Sequence, residues 1–208
     1  MKKIIAAILV VCIALSLVLC GCSTSGDPVE TNKVLQSEDK YRTYYQIWIG
    51  SFCDSDGDET GDFEGIISKL DYLNDGDPDT GDDLGVDGIW LSPMMPSYSY
   101  HKYNVENYFD IDPEFGTLEI FDKFIEECDK RGIAVVIDLV VNHSASNHPY
   151  FIKACDELRA GKEDGYARYY NFNKGATLTH NRKVTDSNYF YEGQFSGEMP
   201  DWNLSYEG

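Results

Sequence analysis

The sequence predicts an α/β protein built on a parallel sheet, and three observations carry that prediction. Strand-like apolar runs alternate with segments of helical period in the order β-α-β-α-β, an order that demands right-handed parallel crossovers. The third run, residues 133–141, is apolar at nearly every position, as in a strand covered on both faces. Past His143 the alternation stops and Tyr, Asn, Gly and Lys are scattered up to Glu207, so that block reads as an insertion rather than a further βα unit.

Taken in order, the chain opens with Lys2 and Lys3, an uncharged run over 4–19, and then Cys20, Gly21 and Cys22. A positive start, an apolar stretch and small residues are the parts of an export signal. The competing reading, an uncleaved membrane-spanning helix, needs about 20 apolar residues, and the run is slightly short for that. Residues 22–40 are polar without hydrophobic period and read as a tether. The first strand is the aromatic and β-branched stretch Tyr44-Tyr45-Gln46-Ile47-Trp48-Ile49. Ile66, Ile67, Leu70 and Leu73 then recur at helical spacing, and 86–91 gives the second strand. Thr117 is placed to cap a helix with Ile120, Phe121, Phe124, Ile125 and Cys128 on one face, and Lys130, Arg131 and Gly132 mark its end. After the third strand only 150–158 has helical character.

With 36 acidic against 17 basic residues, the 208-residue chain carries a formal charge of −19. That field repels phosphate backbones, and no cationic stripe opposes it, so nucleic acid is excluded as a partner. Besides Cys20 and Cys22, the cysteines Cys12, Cys53, Cys128 and Cys155 show no CxxC or Cys/His spacing, which argues against a zinc site and a disulfide framework.

Ligands of a parallel α/β protein meet the loops at the carboxyl ends of its strands. Three loops qualify: 53–62, 92–112, and the stretch from Asn142. The first sets Asp54, Asp56, Asp58, Thr60 and Asp62 at alternate positions, so that four carboxylates and one Thr carbonyl can converge. Two readings stand, a Ca²⁺ site with oxygen ligands and a solvated acidic turn. A second acidic stretch, 75–83, joins a helix to the next strand and so belongs to the opposite end, where a solvated turn is the simpler reading. Asp138 interrupts the third apolar run, and a carboxylate there demands a partner. Asn142 and His143 follow where the strand opens. The cluster 97–103, rich in Tyr and His, reads either as packing or as a platform for a sugar.

Four motifs then resemble one family. GVDGIWLSP is similar to the second-strand motif of the α-amylase family, glycoside hydrolase family 13, YHKYNVENYFDIDPEFGT to the loop after it, DLVVNH to its third-strand motif, and MPDWN to the motif late in its inserted B domain. The resemblance implies a (β/α)8 TIM barrel, present here as an incomplete barrel of the first three βα units over 41–143, with a B-domain insertion after strand three at 144–204 and the return to the barrel at 205–208. It implies that Tyr103 stacks on a glucose ring, that Asp138 supports the catalytic carboxylates, and that His143 hydrogen-bonds the sugar. It also implies structural calcium, with loop 54–62 resembling the family's first-loop cation site except at Glu59, where the pattern has Gly, and with Asn142 as a further ligand. Leu19-x-Gly21-Cys22 resembles the bacterial lipobox, which implies a signal peptide over 1–21, lipidation of Cys22 and an exported protein anchored to the membrane or cell surface.

Retaining hydrolysis of an α-glucan such as starch needs two carboxyl groups about 5–5.5 Å apart. The family carries them after its fourth and fifth strands, so the expectation is that the catalytic carboxylates lie beyond Gly208 and that the 208-residue chain alone is inactive. Within the family, Tyr100-His-Lys-Tyr103 favours the α-amylase branch over oligo-1,6-glucosidases, which usually read Asp-Asn-Gly-Tyr there. The reading from another class is a non-catalytic glucan- or cation-binding surface lipoprotein.

Overall fold

The computed structural model describes residues 42–205; the readings at 1–41, among them the signal peptide, the tether and Cys22, and the return to the barrel past residue 205 lie outside them. Three strands, β1 (Tyr44–Ile47), β2 (Gly88–Leu91) and β3 (Ala134–Ile137), form a parallel sheet in that order. Its register aligns Gln46, Trp90 and Val136 on one rung and Ile47, Leu91 and Ile137 on the next.

Between β1 and β2 the helical period resolves into two short helices, α1 (Phe63–Ile67) and α2 (Leu70–Leu73), rather than one. The Asp62 carboxylate accepts from Gly65 N to start α1, and Ser68 closes it by donating its hydroxyl to the Gly65 carbonyl. Of the expected apolar residues Ile66, Leu70 and Leu73 are inaccessible and Ile67 is half-buried, while Phe63 joins them in the core. The longer helix α3 (Leu118–Lys130) starts as the sequence predicts, with Thr117 accepting from Ile120 N, and ends before Gly132, whose φ of +69° suits a residue without Cβ. Its Phe121 and Phe124 pack on Phe63. These helices and the sheet share one core, with Ile47, Ile89, Leu91, Phe115 and Ile133.

The expectation that the third strand is covered on both faces is corrected. Only 134–137 form the strand, and Val136 and Ile137 remain 44% and 38% exposed. The physical reason is that among the described residues β3 pairs on one side only, and the helices cover one face of the sheet. Beside it, Leu139, Val141, Tyr108, His148, Tyr150 and Trp202 line an apolar groove of about 730 Å³.

From Ser144 the chain builds a second core. Helix α4 (Pro149–Arg159), capped by His148, packs with β4 (Phe172–Lys174), β5 (Asn181–Lys183) and β6 (Tyr189–Glu192), an antiparallel sheet in the order β4-β6-β5. Phe151, Leu158, Tyr170 and Val184 are at its centre. The excursion closes on itself: Ser144 N donates to Pro200 O, and Trp202 N donates to Asn142 O.

Candidate active site

The carboxyl ends of β1, β2 and β3 bring together the residues that follow them. Loop 92–112 is fastened at its base, where Asp112 accepts from Ser97 N and Asp112 N donates to Met94 O. From that base the loop projects Tyr103, 38% exposed, across to β3, and its hydroxyl donates to Asp138 Oδ2 at 2.6 Å. Asp138 thereby has the partner its sequence position demanded, and its own amide donates to Leu91 O, continuing the sheet by one residue. It is half-buried rather than enclosed. Its carboxylate, accepting the phenol's hydrogen, pushes Tyr103 up to about 12, and burial adds to that shift, so the phenol stays protonated at neutral pH.

His143 is 4% exposed. Its Nε2 lies 3.2 Å from the Tyr103 carbonyl and its Nδ1 3.4 Å from Asn142 Nδ2. With the carbonyl as acceptor and the amide as donor, the consistent tautomer is neutral with the proton on Nε2. Burial holds the imidazole below its usual range despite the Tyr103 carbonyl, which favours the neutral form. The resemblance implied a hydrogen bond from His143 to a sugar; within the protein the ring contacts the backbone of Tyr103 and the side chain of Asn142. Asn142 also donates to Asp201 Oδ1, at 3.3 Å, and burial raises the Asp201 carboxyl.

Three residues of this cluster carried no role in the sequence. Trp48, directly after β1, meets the exposed Tyr100 edge to face at 5.8 Å. Phe195 meets His143 the same way at 5.3 Å. Asp201 reaches Asn142 and His143 from the far end of the excursion, a contact that sequence separation hides. Trp48 had a signal, as an aromatic at a strand's carboxyl end; Phe195 had none.

In the first acidic loop Asp54, Asp56 and Asp58 offer oxygens within 4.8 Å of one another, all exposed. Asp54 organises the turn by accepting from the amides of Asp56, Gly57 and Glu59, which hold its carboxyl below the usual range, Gly57 most strongly. Glu59 takes φ +74°, a left-handed backbone that favours Gly, and this accounts for the family pattern at that position. Asp62 stands apart from the trio, because its oxygens accept from Ser55 N, Ser55 Oγ and the α1 amide of Gly65. A Cβ on Gly65 would overlap the Cys53 carbonyl, so the loop lies directly on α1. None of the ion pairs among the described residues engages the trio. An all-oxygen anionic donor set fits a hard cation such as Ca²⁺, and Asp54, Asp56 and Asp58 are the carboxylates already brought together.

Residues 46–207 match the family model for the alpha amylase catalytic domain. Alpha-amylase 3 of Dictyoglomus thermophilum is 36% identical over 170 residues, covering 79% of this chain and 31% of that protein. The oligo-1,6-glucosidase of Parageobacillus thermoglucosidasius is 44% identical over 137 residues, 65% of this chain and 22% of its own length. Among solved structures, Eubacterium rectale Amy13B superposes with a TM-score of 0.74 at 43% identity, over 82% of this chain and 33% of that one. The α-amylase from H. orenii gives 0.70 at 44% identity, over 79% and 34%. The chain thus spans about a third or less of the length of these relatives. The motifs, the parallel sheet and these likenesses agree, and the chain belongs to the α-amylase family of glycoside hydrolases, family 13.

Proposed function

We propose that this chain is the first part of an α-glucan hydrolase of the α-amylase type, which cuts α-1,4 linkages with retention at the carboxyl ends of β1–β3. The observation that carries the reading is the Tyr103–Asp138 pair: a half-exposed aromatic face on which a glucose ring can stack, tied at 2.6 Å to a carboxylate that follows a strand. In this reading the sheet is the first three strands of an incomplete (β/α)8 barrel, and 144–204 is its B-domain insertion. Tyr103 and Asp138 orient the sugar, His143 and Asn142 fix the backbone that carries Tyr103, and the attacking and protonating carboxyl groups come from outside residues 42–205. Orientation without those two groups does not break a glycosidic bond.

Ca²⁺ would be held by Asp54, Asp56 and Asp58, with the Thr60 carbonyl, and when bound would neutralise their mutual repulsion and stiffen the loop. Asn142 enters this reading as a brace for His143. Export and anchoring through lipidated Cys22 complete the reading, and mass spectrometry of the mature N-terminus tests them: an unmodified N-terminus, or one elsewhere than Cys22, refutes the anchor.

The deciding experiment measures reducing-sugar release from soluble starch by the 208-residue chain and by a joined enzyme, in which this segment continues into the remaining two-thirds of an α-amylase catalytic domain. Turnover by the joined enzyme alone is expected; equal turnover by both would overturn the assignment of the carboxylates. The 44% identity to an oligo-1,6-glucosidase supports a second reading, an exo-acting enzyme. Isomaltose offered beside maltoheptaose separates the two.

A further inference from the structure

Lys102 is buried to 3% exposure and takes a left-handed backbone, φ +61°, immediately before Tyr103. Its ammonium has an acceptor for each N–H: Asp112 Oδ2 at 2.8 Å, Glu114 Oε2 at 2.6 Å and the Ser97 carbonyl at 3.3 Å. Below it lies the Phe115 ring, 5.1 Å from Nζ to centroid. Asp112 in turn accepts from the amides of Ser97 and Glu114, so the ammonium closes a ring between the outgoing and returning limbs of the site loop. Two costs are retained here. A non-glycine residue at positive φ is strained, and a buried ion pair is often no more stabilising than apolar residues of the same volume. What such a pair does supply is a single defined geometry, and the geometry it defines ends at Tyr103.

We propose that Lys102 is a positioning residue for the site: its buried ammonium sets the left-handed turn that delivers the Tyr103 hydroxyl to Asp138. The inference deepens the reading of Tyr103 and Asp138 as the sugar-orienting pair, yet its first test needs no catalysis. Label the 208-residue chain with carbon-13 at tyrosine Cζ, and identify the Tyr103 resonance by its loss in Tyr103→Phe. Asp138→Ala then gives the position of the unpaired phenol. Lys102→Gly keeps the left-handed backbone accessible and removes the ammonium. It should move the Tyr103 resonance to the Asp138→Ala position and leave Tyr170, in the second core, where it was. A folded Lys102→Gly chain with the Tyr103 resonance unmoved overturns the proposal. Should that variant fail to fold, Glu114→Gln, which alters the more exposed of the two carboxylates, must shift the resonance part of the way, and no shift is equally fatal.

In the joined enzyme Lys102→Gly should lower kcat/KM about 10- to 100-fold, the scale of a misplaced orienting group. The loss should shrink to less than about twofold in a Tyr103→Phe background, because the two substitutions remove one interaction. Equal losses in both backgrounds would reduce Lys102 to general scaffolding. A joined enzyme without any activity would instead refute the proposed function and leave the resonance test standing.

Discussion

The two ends of the parallel sheet are built from the same kinds of residue and use them differently. At the amino end Arg131 joins Asp71 and Glu127, and in the acidic turn 75–83 Asp75 accepts from Asp77 N and Thr80 Oγ1 while Asp83 accepts from the amides of Asp75 and Gly85. At the carboxyl end, Asp54 also accepts backbone amides, but in doing so it draws Asp56 and Asp58 toward itself. Tyr103, Trp48 and Tyr100 there keep exposed ring faces. Acidic density is thus a poor guide to function; what separates the two turns is that three carboxylates converge within 4.8 Å of one another in the one at the carboxyl end.

The contrast is broken most directly through activity. Asp138→Ala in the joined enzyme should lower kcat/KM for maltoheptaose by about 100-fold or more, whereas Asp71→Ala at the other end should leave it within about twofold. Comparable losses from both would erase the distinction.

Calcium sharpens it next. Added to chelator-stripped chain at 100 times its Kd, calcium should stabilise by about 2.7 kcal/mol, which raises Tm by roughly 5–10 °C for a domain of this size. Asp56→Ala/Asp58→Ala should abolish that shift and Asp77→Ala/Asp79→Ala should retain it, as differential scanning fluorimetry would read.

Acidification follows. Burial holds both His143 and His148 below the usual imidazole range. Because the folded values are depressed, the stability they contribute is fully present above the unfolded imidazole pKa and is lost as pH falls through the folded values. Urea midpoints should therefore drop below about pH 6.5, and His148→Gln should flatten the decline; a flat profile in the parent chain would count against neutral buried histidines. The smallest effect belongs to the amino end: Arg131→Met breaks partly exposed ion pairs and should cost no more than about 1 kcal/mol, a Tm change of about 2–4 °C.

Much of this was legible in the sequence because it rests on local rules. Thr117, the spacing of Phe121, Phe124 and Cys128, and Gly132 specify α3 through capping and period alone. Asp138 announced a partner by standing in an apolar run. The split between α1 and α2 escaped notice because Ser68 and Lys69 do not interrupt the apolar spacing. Strands β4–β6 escaped because three or four residues are too few to establish a period. The partners of His143 were hidden for another reason: Tyr103 and Asp201 reach it over long stretches of chain, and only the closed excursion brings them together.

The register of the parallel sheet also sets a timetable for synthesis. Tyr44 pairs with Gly88, and Gly88 with Ala134. A ribosome adding about 5–20 residues per second needs roughly 2–9 s to deliver each successive strand. Through that interval β1, with its Tyr44-Tyr45-Gln46-Ile47 edge, lacks β2, its partner among the described residues. Such an edge is a template for any other extended segment nearby. Slowing translation between Ile47 and Gly88 should therefore increase aggregation of the nascent protein more than the same pause placed after Ile137, when β1 has β2 beside it.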